Sequence, residues 1–420
     1  MFTVQSFFML KNYFKIAIAV LKRRKFFTFI SLFGISFTLT MLIVLASFID
    51  NVLSTGYPDL NRPRELFIQR MRLSSTTNGS DNNGGPSFYF FDHYVSKLKT
   101  QEKLAIASNT SHTNSYTDKK KLTFRLMYTN DQYWDVLNFN FIEGKPYTKQ
   151  QLDNGEKVVV ITEDTRDNYF GKGISAAGKF IETDNIQYRV SGVVENPPLF
   201  NQFAYADMYA PYSLSKANIH YPDISGNYNG ILLLRSKNDI PKMKEEFNRM
   251  ASKVPIPDKT FNVINTSADT YLEFFGRNVI DSHSGNDGLI KFFLLTGIFL
   301  FLFLLLPTLN LVNINISRIM DRSSEIGVRK AFGASSKTLV YQFIIENLIL
   351  TFLGGALGLL FSFIVIQIIN STGLLAGVQL VISFNVFFFC LLTCIFFGLL
   401  SGVYPAWRMS RLNVVAALKV

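Results

Sequence analysis

The chain has 420 residues, of which 48% are hydrophobic and only 17% charged, with 41 Phe and a formal net charge of +11 at pH 7. A soluble domain carries about 25% charged residues, so this composition excludes a disordered chain, a collagen and a disulfide scaffold. The two cysteines, Cys390 and Cys394, stand four apart in an uncharged apolar run and read as small membrane-helix residues rather than a disulfide framework or a zinc site.

In chain order, residues 1–25 open with a juxtamembrane helix. Its stretch 7–21 sets Lys11 and Lys15 at helical spacing among apolar residues and is expected to lie on membrane lipid as an anchor. Residues 26–49 then run without a charge. A bilayer core of about 30 Å needs about 20 helical residues, and a cleaved leader has an apolar run of only about 7 to 15, so this is expected to be a retained first membrane helix. Three more follow at 292–316, 347–369 and 380–404, the last two parted by a polar outer turn at 370–379. Pro307, with Asn310 and Asn313, marks an expected bend in the second.

Charge sets the orientation, because Lys and Arg near helix ends stay cytoplasmic. Residues 1–25, the loop 318–346 and the tail after Tyr404 together hold the whole net +11, and 50–291 is left neutral. Both termini are therefore expected inside, as are the loop 317–346 and the tail 405–420, with the long segment outside. The basic surplus is a topology signal, and no nucleic-acid partner is expected.

The outer segment, 50–291, reads as a folded domain. A strand is expected at 65–73, a Ser/Asn/Gly loop at 74–87, a helix at 88–100 and a strand at 103–108. A second set comes at 230–236 (strand), 240–251 (helix opened by Asp239 and Pro241) and 260–265 (strand). Two such units suggest a split ferredoxin-like layer. Between them, about 119–227, short β-branched or aromatic runs at 121–128, 157–161, 179–182 and 187–194 read as an all-β insert. The expected fold is an α-helical membrane protein with four transmembrane helices plus an α+β extracytoplasmic domain.

Chemistry-bearing motifs are scarce. His93, His112, His220 and His283 are scattered singly without metal-ligand spacing, and no Gly-x-Ser-x-Gly elbow occurs. The run from Gly333 to Thr338 fails the phosphate-loop pattern because Ser336 precedes Lys337 and no Gly opens the cradle. No catalytic site, metal or cofactor is expected in this chain. Gly354 and Gly358, like Gly398 and Gly402, stand one helical turn apart and allow close helix packing.

The informative inner piece is DRSSEIGVRKAFGA, residues 321–334. Ser323 or Ser324 offers a cap and Glu325 an acid in the first turn. A polar helix start running into a membrane helix is a lever through which a cytoplasmic partner could push. The plainer reading is a basic loop obeying the charge rule.

Glu325, Ile326, Gly327, Arg329, Lys330 and Gly333 of that piece, with Phe343-Ile-Ile-Glu346, the Gly354 to Gly358 run and the closing Tyr404-Pro-Ala-Trp-Arg408, resemble the signature of the MacB/FtsX-type ABC transporter permeases. Outside, Val158 to Ile161, Tyr169-Phe-Gly171 and Val190 to Pro198 are similar to the MacB-type periplasmic core domain. The resemblance implies a half-size permease in the bacterial cytoplasmic (inner) membrane. It would dimerise with a second copy or a paralogue and sit on a cytoplasmic ABC ATPase that binds ATP and Mg. The Glu325 to Gly333 motif would dock on that ATPase, and substrate would be moved outside the membrane, with a periplasmic or outer-membrane partner left open. The alternatives are a membrane-anchored sensor or scaffold without an ATPase, which leaves that motif without a task, and a membrane enzyme, for which no site is present.

Overall fold

The computed structural model describes residues 18–19, 21–23, 25–117, 120–280, 287–320, 328, 332, 335–372 and 378–410. The chain divides into two compact units, one of residues 52–294 with 375–378 and the other drawn from 1–51, 295–374 and 379–420.

The first unit is built on strands β1 (Glu65–Ile68), β2 (Met71–Ser74), β3 (Asp81–Pro86), β4 (Gln101–Ser108), β5 (Ser111–Thr117), β6 (Lys120–Thr129), β7 (Phe141–Gly144), β8 (Val158–Thr162), β9 (Phe180–Thr183), β10 (Ile186–Val194), β11 (Met208–Pro211), β12 (Ser225–Gly226), β13 (Tyr228–Leu234) and β14 (Val263–Thr266). One sheet runs β1-β13-β4-β6-β11-β8-β10-β7, with β5 added on β6 and β9 on β10. A smaller sheet runs β12-β3-β2-β14.

β13 lies antiparallel between β1 and β4, and β14 lies antiparallel on β2, which continues β1. The helix Ile240–Ala251 links β13 to β14, and the helix Phe88–His93 precedes β4. Taken together, the order β14, β1/β2, β13, β4 with alternating direction is that of a split βαβ layer. Every residue of β13 is buried, as a central strand covered on both faces requires. The helix Ile240–Ala251 starts behind a capping box from Ser236 and Asp239 and buries Met243 and Phe247, one turn apart, against Phe90, Phe91 and Leu232. Gly230 is obligatory in β13, since a Cβ there would lie 2.3 Å from Phe91 Cε1.

Four expectations change here. The helix expected at 88–100 ends at His93, and only a short 3-10 turn, Val95–Lys97, follows it. The strand 65–73 is two strands that part at Gln69 and Arg70. The loop 74–87 contains β3, whose sequence DNNGGP has little intrinsic strand preference. It is held by pairing of Asp81 to Gly84 with β2 and of Gly85 and Pro86 with β12, and by a close approach at Gly85, where a Cβ would sit 3.1 Å from Gly226 O and 3.2 Å from Tyr228 O. Nor is the insert an all-β module. Its strands extend the same large sheet, with β10 parallel to β8 and β11 parallel to β6. Parallel neighbours need crossover connections, and the helix Glu163–Tyr169 supplies one between β8 and β10. Antiparallel β9 and β10 turn instead on Asp184 and Asn185, at φ 46° and 62°.

The backbone join between layer and insert is narrow, although one apolar core is shared across it. β4 and β6 share one backbone register pair, Ala107 with Thr129. Side chains bridge the rest: Asn130 Oδ1 accepts from Ile106 N at 3.0 Å while its Nδ2 donates to Leu104 O at 2.8 Å. Gln132 Oε1 accepts from Leu104 N at 2.9 Å, and Ser108 Oγ accepts from Tyr128 N at 2.9 Å.

In the second unit the helices are Lys25–Leu53, Asp287–Met320, Ser336–Thr372 and Phe384–Ser410. Two segments, Lys25–Leu53 and Val340–Thr372, are long and apolar enough to cross a membrane. Gly288–Phe303 and Phe384–Thr393 are shorter apolar stretches among the described residues. The first helix is inside out by the standard of a soluble protein. Phe26, Phe29, Phe33 and Phe37 are 54% or more exposed along one face, while Leu39, Leu42 and Ile43 are buried on the other. Such a stripe of exposed rings is unfavourable in water and suited to lipid. Near the end of Ser336–Thr372, Asn370 Nδ2 donates to Leu380 O and its Oδ1 accepts from Leu380 N, both at 3.0 Å, closing the connection to the last helix.

Candidate functional site

Glu325, Ile326, Gly327, Arg329, Lys330 and Gly333 lie outside the described residues, as does most of the juxtamembrane stretch 1–25. Of their neighbours, Val328 and Phe332 are described, with Phe332 N donating to Val328 O at 3.1 Å and the Phe332 ring 89% exposed. Immediately after, Ser335 Oγ accepts from Thr338 N at 3.2 Å and caps the helix Ser336–Thr372. Two turns along, Glu346 is 1% exposed and accepts from Gln342 Nε2 at 3.0 Å. The sequence gives no sign of this buried pair, since Glu346 stands out there only as the close of the Phe343-Ile-Ile-Glu346 run.

Further along this helix, Gly354 and Gly358 meet the first helix of the same chain. A Cβ at Gly354 would lie 2.6 Å from Ile35 Cγ2, and one at Gly358 would lie 2.9 Å from Leu39 Cβ and 3.0 Å from Ser36 O. Thr40 Oγ1, bonded to Ser36 O at 2.7 Å, also donates to Gly358 O at 3.1 Å. Small residues let the two backbones approach, and the hydroxyl bridges them, as in membrane helix pairs. Gly398 and Gly402 fall within Phe384–Ser410, and Asp287–Met320 is helical through Pro307.

In the α/β unit, an arginine clasp gathers the segment after the first helix. Arg62 Nη1 donates to Val52 O at 3.0 Å and Ser54 O at 2.6 Å, its Nε to Asp59 Oδ2 at 2.7 Å, and its guanidinium carbon lies 3.7 Å over the Tyr271 ring. Carbonyls at a helix end need donors, and Arg62 supplies them while stacking on an aromatic face. Beside it, Glu65 is fully buried. Burial raises its carboxyl far above the usual range. Asp59 raises it further as a neighbouring like charge, while Arg62 and Arg64 pull the other way. Glu65 is accordingly a neutral acid in the folded protein.

Helices that turn phenylalanines outward, joined in one chain to an α/β domain, define a membrane-anchored protein with a folded domain of its own. The MacB-like periplasmic core domain matches residues 28–250, and the FtsX-like permease C-terminal model matches residues 297–414. The chain belongs to this MacB/FtsX-type family of ABC transporter permeases. Among curated relatives it is 22% identical over 344 residues to the uncharacterized ABC transporter permease YknZ of Bacillus subtilis (strain 168), covering 81% of each chain. It is 26% identical over 375 residues to the macrolide export ATP-binding/permease protein MacB of Escherichia coli (strain K12), covering 84% of this chain and 54% of that one. The chain thus spans about half the length of the ATP-binding/permease relatives it matches. Among solved structures it is similar to the extracellular domain of YknZ from Gram-positive bacteria (17% identity, 44% of this chain and 93% of that one, TM-score 0.34). It is also similar to the periplasmic region of MacB from Actinobacillus actinomycetemcomitans (18% identity, 53% of this chain and 94% of that one, TM-score 0.36).

Proposed function

We propose that the chain is the membrane subunit of an ABC transporter, driven by an ATPase carried on a separate polypeptide, and that it transmits ATP-powered motion to its α/β domain outside a bacterial inner membrane. The observation that carries this reading is the pair of family matches, which together take in both units of the chain. The reading has four membrane helices, both termini in the cytoplasm and a dimer with a second copy or paralogue. The charge asymmetry supports that orientation. In this reading a partner supplies the ATP and Mg chemistry. Substrate is exported or extracted outside the membrane and does not pass between these helices.

In this mechanism the ATPase grips the segment containing Glu325, Gly327, Arg329, Lys330 and Gly333. The helix capped at Ser335 begins just beyond it, so a push there acts on an element held to the first helix at Gly354 and Gly358. Rigid packing at those glycines converts a shift of one helix into a shift of two, since closely packed backbones do not deform independently.

A pull-down of the tagged chain from native membranes in mild detergent tests the proposal. A stoichiometric ATPase is expected to co-purify and hydrolyse ATP, and Glu325→Lys or Arg329→Glu is expected to release it. Absence of any ATPase in several detergents would overturn the reading in favour of a sensor or scaffold.

A further inference from the structure

The α/β unit contains a cleft that the transporter reading leaves unused. It has a volume of about 730 Å³ and lies between the end of β1, strands β2, β3 and β14, and the helices Ile240–Ala251 and Tyr271–Ile280. Ligand pockets range over roughly 300 to 1,000 Å³, so this one has room for a small oligomeric ligand.

Its walls are unusual in chemistry. Seven asparagines and two glutamines line it, no aromatic ring does, and the apolar side chains are Met71, Ile264 and Ala268. Of the four cations on the wall, Arg72 is held by Asp81, Lys244 by Glu273 and Arg277 by Asp269, and Arg70 is engaged as well. The cleft therefore offers hydrogen bonds rather than free charge. Some amides are committed to each other: Asn278 donates to Gln69 at 2.9 Å and Asn229 to Asn109 at 2.8 Å. Two wall atoms are orphaned. Asn229 is 6% exposed and its Oδ1 has no partner among the described residues, and the buried Arg277 Nε has none either. One is an acceptor and the other a donor, and a buried polar atom left unmatched costs free energy that a ligand can recover.

A hydroxyl group both donates and accepts, and carboxamides answer it with one atom of each kind. Charged ligands gain little where the charges are already paired, and apolar ligands find almost no matching wall. The geometry points to this cleft as a binding site for a neutral oligosaccharide, held by its hydroxyl and acetamido groups through Asn229, Arg277 and the surrounding amides. This proposal stands apart from the ATPase-coupling reading, and its failure would leave that reading untouched.

The test uses the full chain in a detergent without a sugar headgroup, with triacetylchitotriose and maltotriose as probes and tetraglycine as the peptide comparison. Saturation-transfer NMR and calorimetry read binding. At least one saccharide is expected to bind with a dissociation constant of the order of 1 mM. Loss of one or two hydrogen bonds predicts about 3- to 10-fold weakening in Asn229→Leu. Asn248→Ala, an exposed wall position on the helix Ile240–Ala251, is expected to weaken binding about 3-fold with an unchanged melting transition, and it decides the matter should the Leu variant fail to fold. No saccharide binding up to about 10 mM, binding indifferent to Asn248→Ala, or tetraglycine bound in preference to both sugars would each overturn the proposal.

Discussion

Replacing Glu65 by Gln should change how the stability of the α/β unit depends on pH. An ordinary Glu ionises near pH 4.3 when unfolded, whereas the buried Glu65, with Asp59 beside it, holds its proton to about 11. Above about pH 5 the folded state therefore binds one more proton here than the unfolded state, and its stability falls as pH rises by about 1.4 kcal/mol per unit. Between pH 5.5 and 8.5 this amounts to roughly 4 kcal/mol, a large part of the 5 to 15 kcal/mol that holds a typical domain together. Gln keeps the shape and a donor toward Asp59 but has no proton to lose, so this contribution disappears in the variant. Urea titration of the full chain in detergent, followed by Trp134 emission in a Trp407→Phe background, isolates the unit, because Trp134 and Trp407 are the two tryptophans. With a urea slope of about 2 kcal/mol per molar, the wild-type midpoint should fall by about 0.7 M per pH unit relative to Glu65→Gln. Parallel pH profiles for the two proteins would refute the reasoning, because they would show Glu65 ionised in the fold.

Alanine at Gly354 or Gly358 should lower the melting temperature in detergent, at a cost of about 1 to 3 kcal/mol each as overpacking against Ile35 and Leu39. Gly355→Ala meets Leu391 Cδ1 at an ordinary 3.5 Å and should be near neutral in the same assay; equal effects at all three positions would sink the contact. Asn130→Ala should strip Ile106 N and Leu104 O of their partners and cost about 1 to 3 kcal/mol per unsatisfied group. Hydrogen exchange should then quicken at Ile106 first, and unchanged protection there would count against the side-chain bridge.

Much of the α/β unit was legible wherever one physical signal dominated. The helix Ile240–Ala251 shows its start in Asp239 and Pro241 and its buried face in Met243 and Phe247. β8, written VVVIT, has no exposed residue to confuse the pattern. β3 and β5 were hidden because DNNGGP and SHTNSYT carry no apolar alternation; pairing to neighbours made them strands, and local preference did not. The pairing that merges insert and layer was hidden for the same reason, since register is a property of two distant segments. The clasp could not be read because Asp59 and Arg62 look like any surface pair three apart. Only the fold shows Arg62 reaching Val52 and Tyr271. The inner motif became meaningful through resemblance, as nothing in its spacing names a partner.

The seam between β4 and β6 also bears on how such a domain diverges. A backbone ladder ties every rung to its neighbours, so exchanging one strand disturbs the whole. Here one main-chain pair and side chains from Ser108, Asn130 and Gln132 make the polar contacts of the seam, over an apolar core that both halves share. Changes at those three positions can therefore loosen the polar part of the seam while the shared core still holds the two halves together.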